Sequence, residues 1–195
     1  YNVAFTNARN KVNLTENSIK VKKTLNGRNW QDDDSFTFNI TAKDPEDAPR
    51  PAQTEVTVSN RTTDHTAGFG AIAYSAAGTY KYTVNESQNN KIAGLLYSGA
   101  EYEVTVKVTA DANGALREPT VSVKQLKDDN GKKLDSAKDV TSNVAEFTNT
   151  YVAVSSLPLT GGKSARDWLI YGGGLGLLAL LAGAGYTVWR KRQLV

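Results

Sequence analysis

Three strand-like stretches each place a polar residue on a face that is otherwise apolar. In Ile19-Lys20-Val21-Lys22-Lys23-Thr24-Leu25 the side chains alternate across the strand, so Ile19, Val21, Lys23 and Leu25 share a face. The same count groups Asn149 with Ala145, Phe147 and Tyr151, and Glu86 with Tyr80, Tyr82 and Val84. Burying an unpaired ammonium is costly, so an inward lysine needs a reason. Desolvation lowers the pKa of a lysine and raises that of a glutamic acid. The chemistry on offer is therefore a nucleophilic neutral amine beside a protonated acid. Singly, each residue has an ordinary account. Lys23 snorkels or forms an ion pair with Glu86, and Asn149 is a turn or edge residue bonded to backbone. Jointly, on three strands whose registers agree, they form the candidate site.

The elements that must position them are strands. Short segments rich in Val, Thr, Tyr and Phe are expected at 18–25, 35–42, 55–59, 68–75, 79–86, 101–110, 119–126 and 144–151. Turn residues separate them, among them Asn26-Gly27, Ala77-Gly78, Asn113-Gly114 and Asp129-Asn130-Gly131. No helical periodicity competes before residue 160. Eight strands without helices predict an all-β fold, an immunoglobulin-like antiparallel β-sandwich. Residues 43–54, with Pro45, Pro49 and Pro51, are expected to form an excursion or edge loop, since proline donates nothing to a sheet ladder.

The stretches Val21-Lys22-Lys23, Gly78-Thr79-Tyr80-Lys81-Tyr82-Thr83-Val84-Asn85-Glu86 and Phe147-Thr148-Asn149 resemble the self-crosslinking isopeptide domains of Gram-positive pilins and adhesins, in particular the streptococcal major-pilin type. The likeness covers roughly residues 17–151. It implies that Lys23 attacks the carboxamide of Asn149, that Glu86 assists by hydrogen-bonding and polarising the Asn149 carbonyl, and that ammonia leaves. Such a reaction happens once per molecule, so the chain is expected to modify itself rather than to be an enzyme. The lysine by which some relatives are joined into a pilus is not recognisable from a local motif here.

The C-terminal region has its own logic. Residues 168–189, Trp168 to Trp189, form an uncharged and mostly apolar run. As a helix it would be about 33 Å long, enough to cross a hydrocarbon core of roughly 30 Å. Tryptophans at both ends suit the interfaces, and Arg190-Lys191-Arg192 is expected to stay cytoplasmic, leaving residues 1–167 outside. Ahead of it stands Leu157-Pro158-Leu159-Thr160-Gly161. Pentapeptide, polar spacer, span and basic stop, in that order, resemble the cell-wall sorting signal of LPXTG surface proteins. The resemblance implies cleavage at Thr160–Gly161 by the transpeptidase sortase. The threonyl group would then pass to an amine of a peptidoglycan precursor or of a pilin lysine, leaving the protein in the cell wall. Gly172-Gly173-Gly174-Leu175-Gly176 follows no strand and is not a dinucleotide loop.

The charge balance is uneven. Residues 151–195 hold five Lys/Arg and one Asp, and the other 18 Lys/Arg face 19 Asp/Glu, so the exported part is nearly neutral and nucleic-acid binding is not expected. The chain has no cysteine, which excludes disulfides and thiol catalysis. His65, the single histidine, lies beside Asp64 and Thr66 in a polar connection and supports no Ser-His-Asp system. Asp32-Asp33-Asp34 and Asp128-Asp129-Asn130-Gly131 lack EF-hand spacing and read as solvated turns. Neither a metal nor a cofactor is expected.

Asn2-Val3-Ala4-Phe5-Thr6-Asn7 nearly repeats Asn143-Val144-Ala145-Glu146-Phe147-Thr148-Asn149. Residues 1–9 therefore read as the last strand of a preceding similar domain. The sandwich occupies 10–152, a linker 153–167, the span 168–189 and the basic tail 190–195. An exported, anchored chain needs a signal peptide and none opens this sequence, so the expectation is the C-terminal part of a longer polypeptide. The functional expectation is the membrane-proximal stalk of a sortase-anchored adhesin. Its alternatives are a pilin subunit polymerised by sortase and the stalk of a surface enzyme with its catalytic head upstream.

In a sortase-bearing Gram-positive host, the mature chain is expected to end at Thr160 and to be released only by wall-digesting enzymes. Intact chains that keep residues 161–195 in the membrane fraction, with none in the wall, would contradict the sorting signal.

Overall fold

Alternating strands bury one face each, and two such faces meeting make a core. The computed structural model describes residues 11–89 and 91–153. The strands are β1 (Val12–Leu14), β2 (Lys20–Asn26), β3 (Ser35–Asp44), β4 (Glu55–Ser59), β5 (Thr66–Gly68), β6 (Ile72–Tyr74), β7 (Gly78–Glu86), β8 (Leu95–Leu96), β9 (Glu101–Val108), β10 (Thr120–Lys127), β11 (Lys133–Val140) and β12 (Val144–Tyr151). The one helical element is a single 3₁₀ turn at Thr63–His65, among the described residues.

One sheet has six strands in the order β11-β10-β9-β7-β3-β4, and a second contains β5, β2 and β12 in that order. A separate two-stranded sheet pairs β1 with β6. Phe36, Phe38, Tyr82, Val84, Tyr102, Val104 and Val106 turn inward from the large sheet, and Val21, Ala145 and Phe147 from the other. The sheets meet where Phe147 packs on Phe38, with ring centroids 4.9 Å apart, and on Tyr102 at 5.1 Å. The Tyr102 hydroxyl donates to the Glu146 carbonyl across the same gap. Residues 92–95 and 152–153 belong to a second small unit, within which the Val152 N–H donates to the Gly94 carbonyl at 2.8 Å.

The all-β sandwich agrees with the alternation, but its pairing is not wholly antiparallel. β12 lies parallel to β2, with Phe147 opposite Lys23 and Asn149 opposite Leu25. Hairpin turns force neighbouring strands to be antiparallel, whereas a parallel pair needs a long crossover. Here nearly the whole domain is that crossover. The expected strand at 68–75 is split, because the chain leaves β2 after Gly68, turns at Gly70 with φ of 87°, and pairs with β1 from Ile72. Three strands have no counterpart in the expected set. β1 and β8 are two or three residues long, and β11 is charged and exposed along its length. β11 is held by its backbone to β10, and its lysines and aspartates suit an edge that must not recruit another strand. Residues 45–54 form the expected loop after β3, tied down where the Tyr82 hydroxyl donates to the Pro49 carbonyl at 2.7 Å.

Among the described residues no helix is long and apolar enough to cross a membrane. The span at 168–189, the sorting motif at 157–161 and the echo strand at 1–9 lie outside the described residues.

The ends of β2 and β12 meet at Gly27, where φ is 84° and a Cβ would lie 2.2 Å from the Tyr151 carbonyl oxygen. Gly27→Ala is expected to destabilise the domain by roughly 1–3 kcal/mol through strain at that position. A thermal midpoint unchanged from the parent chain would contradict this close approach.

Candidate functional site

The two sheets bring the three sequence-predicted residues together. β2 and β12 are adjacent, so Lys23 and Asn149 stand two positions apart along neighbouring parallel strands. Glu86 comes from the end of β7 in the opposite sheet, where it pairs with Phe38. All three are buried: Lys23 is 1% exposed, Glu86 5% and Asn149 0%. Snorkelling is thereby ruled out for Lys23.

The Lys23 Nζ lies 2.9 Å from both carboxylate oxygens of Glu86. The same carboxylate accepts a hydrogen bond from Asn149 Nδ2 at 2.9 Å. Glu86 thus bridges the amine and the amide nitrogen. The far end of the amide is held as well, since the Ser98 N–H donates to Asn149 Oδ1 at 2.6 Å. A main-chain N–H can only donate, so the atom facing it is the oxygen and the amide orientation follows. Glu86 thus meets the amide nitrogen rather than the carbonyl oxygen it was expected to hydrogen-bond, and the Ser98 N–H meets that oxygen.

Aromatic rings wall the site. The Lys23 ammonium sits 4.9 Å from the centre of the Phe36 ring and 5.8 Å from that of Phe38. Burial lowers the Lys23 pKa from 10.5 to about 8, against the opposing pull of Glu86 and, more weakly, Asp129. Burial also raises Glu86, opposed by Lys23, by the Asn149 amide and by the Ser98 N–H. Both shifts make transfer of the Lys23 proton to Glu86 less costly than it is between exposed groups. Every buried side-chain N or O atom among the described residues has a partner.

Sequence reasoning missed Ser98 and Asp129. Ser98 lies in the connection before β9, and Asp129 in the turn between β10 and β11 that reads as merely solvated. Asp129 Oδ1 accepts from the Ser98 hydroxyl at 2.6 Å and from the Thr148 N–H at 2.9 Å. No pattern of alternation marks a loop residue, so the sequence carried no signal for either.

The other polar clusters do local work. Asp34 is buried and accepts two hydrogen bonds from the Arg28 guanidinium, at 2.7 and 2.6 Å, and one from the Gln31 N–H at 2.7 Å. Asp128 Oδ1 closes the β10–β11 turn by accepting from the Asn130 and Lys132 N–H groups. His65 stacks on Trp30, with ring centroids 4.1 Å apart. Among the described residues no group of three or more His, Cys, Asp or Glu side chains is arranged to hold a metal.

Comparison with solved structures finds major pilins of Streptococcus pyogenes. One is 17% identical, over 74% of this chain and 51% of that one, with a TM-score of 0.42. The T-13 major pilin is 22% identical over 71% and 53%, with a TM-score of 0.44, and the T3.2 major pilin 17% over 75% and 54%, with 0.45. The chain spans about half the length of each of these pilins. No curated protein matches it. A family described as "FctA: Spy0128-like isopeptide containing domain" matches residues 19–152, a stretch that takes in β2, β7 and β12 with their three buried polar residues. That match covers more than half of the chain, which therefore belongs to the family of Spy0128-like isopeptide-containing domains.

Proposed function

We propose that Lys23 and Asn149 join through a side-chain amide, assisted by Glu86, and that the linked domain is the membrane-proximal stalk of a sortase-anchored surface adhesin. The observation that carries the crosslink is the bridging of Lys23 Nζ and Asn149 Nδ2 by one buried carboxylate, each at 2.9 Å. A proton passes from Lys23 to Glu86, and the freed amine lone pair bonds to Asn149 Cγ while the carbonyl π pair moves to Oδ1. On collapse the Cγ–Nδ2 bond breaks. Glu86 gives its proton to the departing nitrogen and takes one from the new amide nitrogen, so ammonia leaves and Glu86 ends neutral. Proximity does much of the rest, because the folded sheets fix both reactants. The product removes a buried ion pair, an arrangement that is expensive to keep.

The mechanical role follows from the parallel pairing of β2 and β12. Tension enters at the start of one strand and leaves at the end of its neighbour, so the pair is sheared and a covalent bond between them bears the load. Without the bond, the 126 residues from Lys23 to Asn149 could extend to roughly 430 Å at about 3.4 Å per residue. By analogy with disulfides, closing that loop stabilises by about 5 kcal/mol through the unfolded state. Membership of the Spy0128-like isopeptide family suits a second reading as well, a pilin subunit that sortase polymerises. Anchoring in the cell wall through Thr160, with peptidoglycan or a pilin lysine as acceptor, belongs to both readings.

The purified chain is expected to weigh one ammonia, about 17 Da, less than its sequence mass, because the exchange expels Nδ2. Lys23→Ala, Asn149→Ala and Glu86→Ala should each restore full mass and lower the melting temperature, the last because Glu86 moves the proton without joining the product. Full mass in the folded parent chain would overturn the crosslink.

A pH dependence follows for the unlinked Asn149→Ala chain. Between about 8 and 10.5 its unfolded state holds the Lys23 proton more tightly than its folded state, so Lys23 adds stability as pH rises across that window. Measured by urea unfolding against the same chain carrying Lys23→Met, the gain should reach at most about 3 kcal/mol. Glu86 acts oppositely. Its raised pKa adds stability as pH falls through the folded value toward 4.5. A difference that stays flat above pH 8 would contradict the lowering of the Lys23 pKa by burial.

A further inference from the structure

We propose that the Ser98 main-chain N–H is the oxyanion donor of the Lys23–Asn149 exchange, and that Asp129 is the positioning residue that holds it there. The inference rests on the crosslink proposed above and extends it to two loops outside the three linked strands.

The reaction creates negative charge at one atom. When the Lys23 lone pair reaches Asn149 Cγ, the carbonyl π pair moves to Oδ1, and a donor already aimed at that oxygen lowers the barrier. The Ser98 N–H stands 2.6 Å from Oδ1, and Ser98 is buried. In this arrangement the Glu86 oxygens meet Lys23 Nζ and Asn149 Nδ2, and the donor at Oδ1 is the Ser98 N–H. The labour divides: Glu86 carries protons between the two nitrogens, and Ser98 holds the oxygen.

A lone N–H in a connecting loop is a poor donor unless the loop is fixed. Asp129 holds it at two points and ties it to β12 at a third. Its Oδ1 accepts from the Ser98 hydroxyl at 2.6 Å, its main-chain carbonyl accepts from the Gly99 N–H at 2.6 Å, and the same Oδ1 accepts from the Thr148 N–H at 2.9 Å. The third bond grips β12 one residue before Asn149. Gln88 Nε2 adds a fourth tether, donating to the Ser98 carbonyl at 3.0 Å. The loops come this close because Gly99 faces Gly131, where a Cβ on Gly99 would lie 2.7 Å from the Gly131 Cα. The charge of Asp129 does not explain its place, since it raises the Lys23 pKa and so opposes formation of the neutral amine. Its hydrogen bonds do.

The test follows linking in the full-length chain. The protein is made by cell-free synthesis, quenched in acid at intervals and weighed intact, and the loss of ammonia gives the rate. Ser98→Ala keeps the N–H but removes the hydroxyl tether. Asp129→Ala removes both side-chain bonds, and Asp129→Asn keeps a carbonyl acceptor without the charge. Loosening an oxyanion donor should slow linking by about tenfold or more in Ser98→Ala and Asp129→Ala. Asp129→Asn should recover most of the parent rate. The folded fraction of each variant, read by circular dichroism in the unlinkable Lys23→Ala background, separates rate from folding. If Asp129→Ala does not fold, Ser98→Ala and Asp129→Asn still decide the matter. Parent-like rates in Ser98→Ala or Asp129→Ala overturn the proposal. So does Asp129→Asn as slow as the alanine variant, and so does a slowing that merely follows the folded fraction. A parent chain that never loses ammonia defeats the crosslink itself, and this oxyanion site with it.

Discussion

A primary ammonium enclosed between two apolar sheets is costly to bury, and the rest of the site is arranged around it. Lys23 is reached by a single carboxylate, that of Glu86, and is otherwise walled by Phe36 and Phe38. Cation–π contact with the rings offsets only part of the desolvation. A buried ion pair of this kind contributes little net stability, yet removing either partner alone strands a charge. In the proposed exchange the amine becomes an amide, and neither Lys23 nor Glu86 then carries a charge. On this proposal the cost of burial is also the drive to react.

That property needs three strands from two sheets. β2 supplies the amine, β12 the amide and β7 the acid. The parallel adjacency of β2 and β12 sets the spacing along the strands, and the meeting of Phe147 with Phe38 and Tyr102 fixes the distance across the core. Strands at opposite ends of the domain become neighbours only when it has folded, so Lys23 and Asn149 meet only then. The proposed bond would therefore record correct folding and span nearly the whole domain.

The sequence discloses the parts that alternation governs. Inward positions for Lys23, Glu86 and Asn149 follow from period-two counting on strands whose other inward residues are Val, Phe and Tyr. What alternation does not encode stayed hidden. The parallel pairing of β2 with β12 depends on the path of the whole chain. β11 shows no apolar face, since it sits at a solvated edge. The orientation of the Asn149 amide hinges on Ser98, a loop residue 51 positions away in sequence. Asp129 sits in a turn of Asp, Asn and Gly whose local chemistry explains it completely until the fold brings it beside Ser98 and Thr148.

The central claim is a covalent bond between two named side chains, and a tryptic digest read by tandem mass spectrometry tests it most directly. Trypsin does not cut after an acylated lysine, but a fragment can still begin there. The account predicts a branched species in which residues 23–28 are joined through the Lys23 side chain to the peptide that begins at Asp139, with the mass of one ammonia missing at the junction. Linear peptides instead, cleaved after Lys23 and carrying an intact Asn149, would contradict it.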